Sequence, residues 1–299
     1  MGDKKTVSLA QSNVRFCWYA LTPAMIVILA VIAFPLLYAL YISFTDMNFM
    51  RVEYSWIGLS NYQRLFFGDL FFWPSVFTTI KWVIGTTFIP YVIGLVIALL
   101  LNQKFHGNTF FRVVIIIPWV VPNVIAAYMW ERLYDTSYGA VNYILSVFSG
   151  KEVTLPWLSS PSLALYALMG IMIWRNIPFM SVMLLAALKT IPKELYEAST
   201  IDGAGILQQF RYITLPQIKS VSGVSLLLML IWMFNHFDIP YVLLKGGPGT
   251  TSRLLPINTY VTALNQLRLG YGSASGVILM LIILVLCGLY LRTILRQDG

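Results

Sequence analysis

Charged residues cut the chain into unequal intervals, and six of these are long and apolar enough for a membrane-crossing helix, which needs about 20 residues. They run from Arg15 to Asp46, Lys81 to Lys104, Arg112 to Glu131, about Ser162 to Lys189 with Arg175 inside, Lys219 to Lys245 with Asp238 inside, and Arg268 to Arg292. The predicted fold class is all-α, a polytopic membrane protein with six transmembrane helices forming one domain over residues 1–299. The first stretch carries Pro23 and Pro35 and no small-residue cleavage site, so it is expected to be a retained span rather than a secretory leader.

Composition agrees with this pattern. Hydrophobic residues make up 58% of the chain and charged ones 11%, far below the roughly 25% charged fraction of soluble domains, and the mean hydropathy is +0.75. A soluble globular protein is excluded. The net charge of +8 does not point to nucleic acid, because the basic residues sit at the ends of apolar stretches, where they orient a membrane protein. Six spans place both termini on one side. Of the 20 Lys and Arg residues, eleven flank the spans on that side and eight on the other, with Arg175 in mid-span. The bias predicts cytoplasmic termini, with its best support in the short basic loop from Gln103 to Phe111. The segments Met47 to Pro74 and Tyr134 to Pro161 then face outward, and Trp56, Trp73 and Trp157 in them read as interfacial anchors. Cys17 and Cys287 lie in or beside apolar stretches and read as small buried apolar side chains.

The chain lacks the motifs that carry catalysis. Gly246-Gly247-Pro248-Gly249 is followed by Thr250 and lacks the Gly-Lys-Ser/Thr ending of a phosphate-binding loop, and no nucleophile elbow or metal-binding His or Cys pair is present. No catalytic or metal-ligating residue is assigned, and no cofactor is expected on this chain. The spans also lack the series of carboxylates and histidines that a proton-coupled pump needs.

Thr190 to Lys219 is too polar to span and too patterned for a random linker. Thr190 is expected to cap a helix with Pro192 near its first turn, and Glu194 and Glu197 suit the positive N-terminal end. Gly203 and Gly205 break that helix, after which Ile206, Leu207, Phe210 and Ile213 supply an apolar face up to Leu215-Pro216. Ala198, Ser199, Gly203, Ala204 and Gly205 present almost no side-chain bulk, which suits close approach by another protein. An amphipathic connector lying on the membrane is the alternative from physics alone.

Spelled out, the segment reads EASTIDGAGILQQFRYITLP. It resembles the EAA loop of permease subunits of binding-protein-dependent ABC importers, with Glu197, Ala198, Gly203, Ile213, Leu215 and Pro216 in register and Ser199 in place of the second Ala. Gly58-Leu59-x-Asn61-Tyr62, Ile117-Pro118-x-x-x-Pro122, Trp174-x-x-x-Pro178 and Gly246-Gly247-Pro248 look like the maltose-type carbohydrate branch of that superfamily. The resemblance implies a type I importer permease fold, multi-pass in a bacterial or archaeal plasma membrane. It implies that residues 190–216 form a cytoplasmic coupling loop in which Glu194, Glu197, Ala198, Ser199, Asp202, Gly203 and Ala204 dock on a separate ATPase subunit. The implied partners are two such subunits carrying the ATP and Mg, a second, related permease subunit, an extracytoplasmic solute-binding protein, and a carbohydrate.

Arg175 stands out without reference to any family. An Arg in mid-span costs at least about 2.5 kcal/mol on insertion scales, so it is expected to face a cavity or a partner. It is either a pathway residue that would favour an acidic or sulfonated sugar, or half of a structural ion pair, with Asp238, Glu131 or another subunit as candidate partner. At about 1.5 Å per residue, Arg175 and Asn235 fall at similar depth. Trp174, Asn176 and Phe179 on the fourth span, and Trp232, Asn235, His236 and Asp238 on the fifth, complete the candidate substrate pathway, with Pro178 and Pro240 as candidate kinks. Aromatic faces stack on sugar rings while amides and charges bind hydroxyls. The resemblance places sugar contacts on these two helices, and ordinary helix packing is the alternative for the aromatics.

Overall fold

A computed structural model of the chain describes residues 9–295, with side chains for 16–290 and 292. Lys4, Lys5, Arg15 and Arg296, which weigh in the charge bias, have no described side chains. Among the described residues, five helices are long and apolar enough to cross a membrane: Phe16–Ile42, Phe72–Asn102, Ala164–Lys189, Ile206–Leu244 and Leu269–Tyr290. The remaining expected span is a broken pair, Asn108–Val120 and Asn123–Leu133, bent by 95°. Counted as one span, that pair gives the six expected helices.

The second and fourth spans form the centre. Gly94 lets their backbones close, since a Cβ there would lie 2.7 Å from the Met180 Cβ and 3.0 Å from the Ser181 nitrogen. Small residues allow such an approach where apolar transfer gives no drive, because lipid is as apolar as the neighbouring helix. Gly94→Leu is therefore expected to lower the thermal midpoint and the yield of folded protein, at an overpacking cost of about 1–3 kcal/mol, which a thermal-shift assay on purified chain would register. Trp82, fully buried, donates from Nε1 to the Met233 carbonyl at 3.2 Å and fixes the fifth span against the second. Thr79 Oγ1 accepts the Leu255 amide at 2.7 Å, which ties the segment after the fifth span to the same centre.

The first span is peripheral. Its most apolar window is 6% buried against 56% for the fourth span, and Cys17 on it is exposed rather than buried. Its attachment is at its C-terminal end. Asn61 donates its amide to the carbonyls of Ser43 (2.9 Å) and Thr45 (2.8 Å), satisfying groups left open where the helix ends. The Tyr62 hydroxyl pairs with Ser43 Oγ at 2.6 Å. Gly270, at the start of the sixth span, has no room for a Cβ, with the Thr45 carbonyl 2.2 Å from where one would sit. The Gly-Leu-x-Asn-Tyr stretch thus works as a clamp on the end of the first span.

Prolines shape the helices in ways the sequence pattern left open. A proline removes one helical donor and crowds the carbonyl four residues back. Before Pro35 and again before Pro216 the helix widens into a π turn, Leu29–Ala33 and Phe210–Thr214, and then continues. Leu215-Pro216 therefore does not end the second helix of the polar segment. That helix runs on from Ile206 into the fifth span. Pro178 sits within one continuous helix, and the fifth span breaks at Asn235 to Phe237, ahead of Pro240.

Candidate functional site

The break in the third span follows from its two prolines. In an unbroken helix the Pro118 carbonyl would accept from residue 122, but Pro122 has no N–H. Val121 leaves helical geometry at ψ 127° and its carbonyl is orphaned as well. In a membrane interior such groups need a partner from the protein. Arg175 supplies it: Nη1 donates to the Val121 carbonyl and, at 3.4 Å, to that of Pro118. Across the break, Asn123 Nδ2 donates to Asp238 Oδ2 at 2.6 Å. The break is thereby tied to the fourth span through Arg175 and to the fifth through Asp238. Among the described residues, Arg175 and Asp238 make these two separate polar contacts and no ion pair with each other.

The other pathway residues divide into two groups. Phe179 lies between Trp119 (6.5 Å) and Trp232 (4.8 Å), making an aromatic cluster against the break. Trp174 packs edge-on to Trp130 at 5.7 Å. Asn176, by contrast, is 6% exposed and donates to the Thr86 carbonyl at 3.2 Å and to Met233 Sδ at 3.3 Å, between the second, fourth and fifth spans. His236 stacks on Trp82 at 6.0 Å, and its buried Nε2 has no hydrogen-bond partner among the described residues. The Asn235 amide turns back onto the Ile231 carbonyl at 2.9 Å. The structure therefore gathers Arg175, Phe179, Trp232 and Asp238 at the break, and turns Asn176 and His236 into helix packing. Trp119 and Asn123 join the cluster unassigned from sequence, although both lie in or beside the Ile117-Pro118-x-x-x-Pro122 stretch.

The polar segment is a helix, Lys193–Ile201, a tight turn, and the start of the fifth-span helix at Ile206. Thr190 does not cap the first helix. Its hydroxyl donates to the Ala187 carbonyl at 2.8 Å and closes the fourth span, while Pro192 takes the N-cap position. Gly203 has φ +81° with no atom within 4 Å of a built Cβ, so the turn needs glycine for its backbone and not for lack of room. The Gly205 amide donates to Gln208 Oε1 at 2.8 Å. Gln209 Nε2 reaches back to Ser199 Oγ (3.1 Å) and Thr200 Oγ1 (2.9 Å), pinning the two helices together. This bond gives the Ser in place of the second Ala a local role. Glu194, Glu197, Ala198, Asp202 and Gly203 are exposed, and Ser199 and Ala204 are half-buried. Ile201, Ile206 and Leu207 are 87%, 88% and 78% exposed. A braced turn that shows both small residues and large apolar ones to its surroundings is suited to docking.

The sequence profile of the family described as "binding-protein-dependent transport system inner membrane component" matches residues 90–298. The chain belongs to this family. It is 36% identical to the trehalose/maltose transport system permease protein of Thermococcus litoralis, over 98% of each chain. It is also 34% identical to the sulfoquinovosyl glycerol transport system permease protein of Agrobacterium fabrum, over 93% of this chain and 90% of that one. Among solved structures, a chain of a bacterial ABC transporter involved in import of the acidic polysaccharide alginate superposes with a TM-score of 0.80 at 22% identity, covering 94% of this chain and 96% of that one. That likeness shows a shared fold. This family member is accordingly a multi-pass membrane permease, a membrane component of a binding-protein-dependent transport system.

Proposed function

We propose that this permease is one of two membrane subunits of an ABC importer that moves a carbohydrate, delivered by an extracytoplasmic solute-binding protein, across a bacterial or archaeal plasma membrane. Its second permease subunit is a different, related chain. Two ATPase subunits bind the ATP and Mg and dock on residues 190–216, which places the termini and this segment in the cytoplasm. The observation that carries the reading is the Lys193–Ile201 helix and its Gly203 turn, built on the Glu-Ala-Ser pattern and braced by Gln209. Carbohydrate as cargo is supported by the two relatives above, whose names specify trehalose or maltose in one case and sulfoquinovosyl glycerol in the other.

Closure of the ATPases would move the docked helix, and Gln209 and the continuous helix from Ile206 would carry that motion into the fifth span. The third-span break, held between the fourth and fifth spans, lies where such motion changes access to the pathway. A second reading, an acidic or sulfonated sugar, is favoured by the Nε and Nη2 donors of Arg175, which make no hydrogen bond among the described residues.

The test is purification of tagged chain from native membranes, with ATPase activity measured in the presence and absence of loaded binding protein. Co-purifying ATPase whose activity rises several-fold with loaded binding protein is the expected result. A chain that transports alone, with no ATPase partner, overturns the proposal.

A further inference from the structure

At the outer end of the bundle, three segments far apart in sequence bring three arginines around one cup of about 220 Å³. Arg64 comes from the helix Ser60–Phe67, Arg253 from the loop after Gly249, and Arg268 from the start of the sixth span. Arg64 and Arg268 stand over the Tyr271 ring at 5.7 and 4.6 Å, and Arg253 over the Phe71 ring at 4.7 Å. Aromatic faces hold the guanidinium planes but leave their in-plane donors unused.

The cup has one carboxylate, Asp69, and its oxygens are committed elsewhere. Oδ2 accepts the Tyr271 hydroxyl at 2.7 Å, and Oδ1 accepts the amides of Phe71 (2.7 Å) and Phe72 (3.2 Å) at the start of the second span. Among the described residues, none of the three arginines forms an ion pair. The buried Nε of Arg253 has no hydrogen-bond partner among the described residues, and burial pulls the pKa of this guanidinium below its ordinary value. Three guanidiniums against Asp69, and Asp46 in the adjoining cavity that Arg64 and Arg268 also line, leave a surplus of positive charge in a concave site, an arrangement that a tetrahedral anion satisfies.

The position of the cup selects among anions. The second and sixth spans begin at Phe72 and Leu269 beside it, so it lies at the level of a membrane interface. Its lining includes Leu70, 85% exposed, and Phe71, and the chain beside it carries Phe67, 90% exposed and next to the lining Gly68, and Trp73. Aromatic and apolar side chains at that level enter the acyl boundary. A soluble anion has no use for such a rim, whereas a lipid occupies both parts.

We propose that Arg64, Arg253 and Arg268 bind the headgroup phosphate of an anionic phospholipid, with Phe67 and Leu70 seated against its acyl chains. The site accounts for three of the basic residues on the outer flanks that weaken the charge bias of the chain. It depends on the importer reading only for which leaflet supplies the lipid.

The test is a native mass-spectrometric titration of the full-length chain in detergent with phosphatidylglycerol, phosphatidylcholine and soluble glycerol phosphate. Phosphatidylglycerol should bind at least about tenfold more tightly than phosphatidylcholine, whose choline the arginines repel. Arg253→Gln, and separately Arg64→Gln with Arg268→Gln, should each remove that preference. Arg253→Lys should keep part of it, and Lys151→Gln, in the other outer loop, should leave it intact. Equal affinity for glycerol phosphate and phosphatidylglycerol would overturn the proposal in favour of a free-anion site. A preference unchanged in correctly folded Gln variants, with loss of binding-protein docking instead, would overturn it in favour of a protein contact.

Discussion

Arg175→Ala is expected to reduce transport by more than about tenfold, with neutral and anionic sugars affected alike. The basis is the third-span break. The substitution removes two charge-assisted hydrogen bonds, each worth about 1.5–3 kcal/mol, and strands the Pro118 carbonyl, whose helical donor is missing at Pro122, and the Val121 carbonyl, which the extended backbone turns out of the helix. An unsatisfied backbone group in the hydrocarbon region costs several kcal/mol, enough to shift the break to another geometry and to move Trp119 away from Phe179. Arg175→Lys should recover only part of the loss, because an ammonium is a single point charge where the guanidinium is a planar fork. The measurement is uptake by reconstituted complex, with apparent affinity and maximal rate determined separately for a neutral and a sulfonated sugar. A fall in maximal rate for both identifies a positioning role. A rise in apparent KM for the sulfonated sugar alone would show that the guanidinium contacts cargo and that the carbonyl contacts are secondary. Unchanged transport would mean that the break is held by Asn123 and Asp238, and a double-mutant cycle between Arg175 and Asn123 would then be expected to show strong coupling.

What the residue pattern reveals about this molecule depends on whether the determining interaction is local. The spans were legible because a bilayer imposes a length on every one of them, and the gaps between charges satisfy that length. The Gly203 turn was legible because a positive φ demands a residue without a Cβ. The boundary at Pro216 was not, since the outcome there depends on whether neighbouring helices support a widened turn, and the π turn at Phe210–Thr214 shows that they do. Asn176 and Asn235 look equivalent in sequence, yet one is buried between three spans and the other faces outward at the end of its helix. No single-chain pattern distinguishes them, because the difference lies in which neighbour covers each helix face. Arg175 is an intermediate case. Its cost in the membrane announced that it must have a partner, but the partner is a pair of backbone carbonyls freed by a proline, and backbone groups leave no residue type to search for.

The second large effect concerns the docking turn. Gly203→Asp is expected to abolish stimulation of the ATPase by loaded binding protein while the chain still inserts and its spans still pack. A residue other than glycine at φ +81° carries a strain of roughly 1–2 kcal/mol, which is small against the packing of the second and fourth spans but falls on a turn whose bracing is a few hydrogen bonds from Gln209 and Gln208. The Cβ position is open, so a side chain fits the isolated permease and would collide only with a subunit docked against the turn. Strain and collision are separable. Asn tolerates the left-handed region better than most residues, so Gly203→Asn relieves most of the strain but retains the bulk, whereas Gly203→Ala retains the strain with little bulk. If docking needs the empty space, Gly203→Asn should fail to co-purify ATPase and Gly203→Ala should retain a good part of it. If only the backbone angle matters, the order reverses. Glu197→Lys, on the exposed face of the same helix, should weaken co-purification by reversing a charge at the contact without touching the turn. Full stimulation in both Gly203→Asp and Glu197→Lys would remove this segment from the ATPase contact and leave the amphipathic-connector reading in its place.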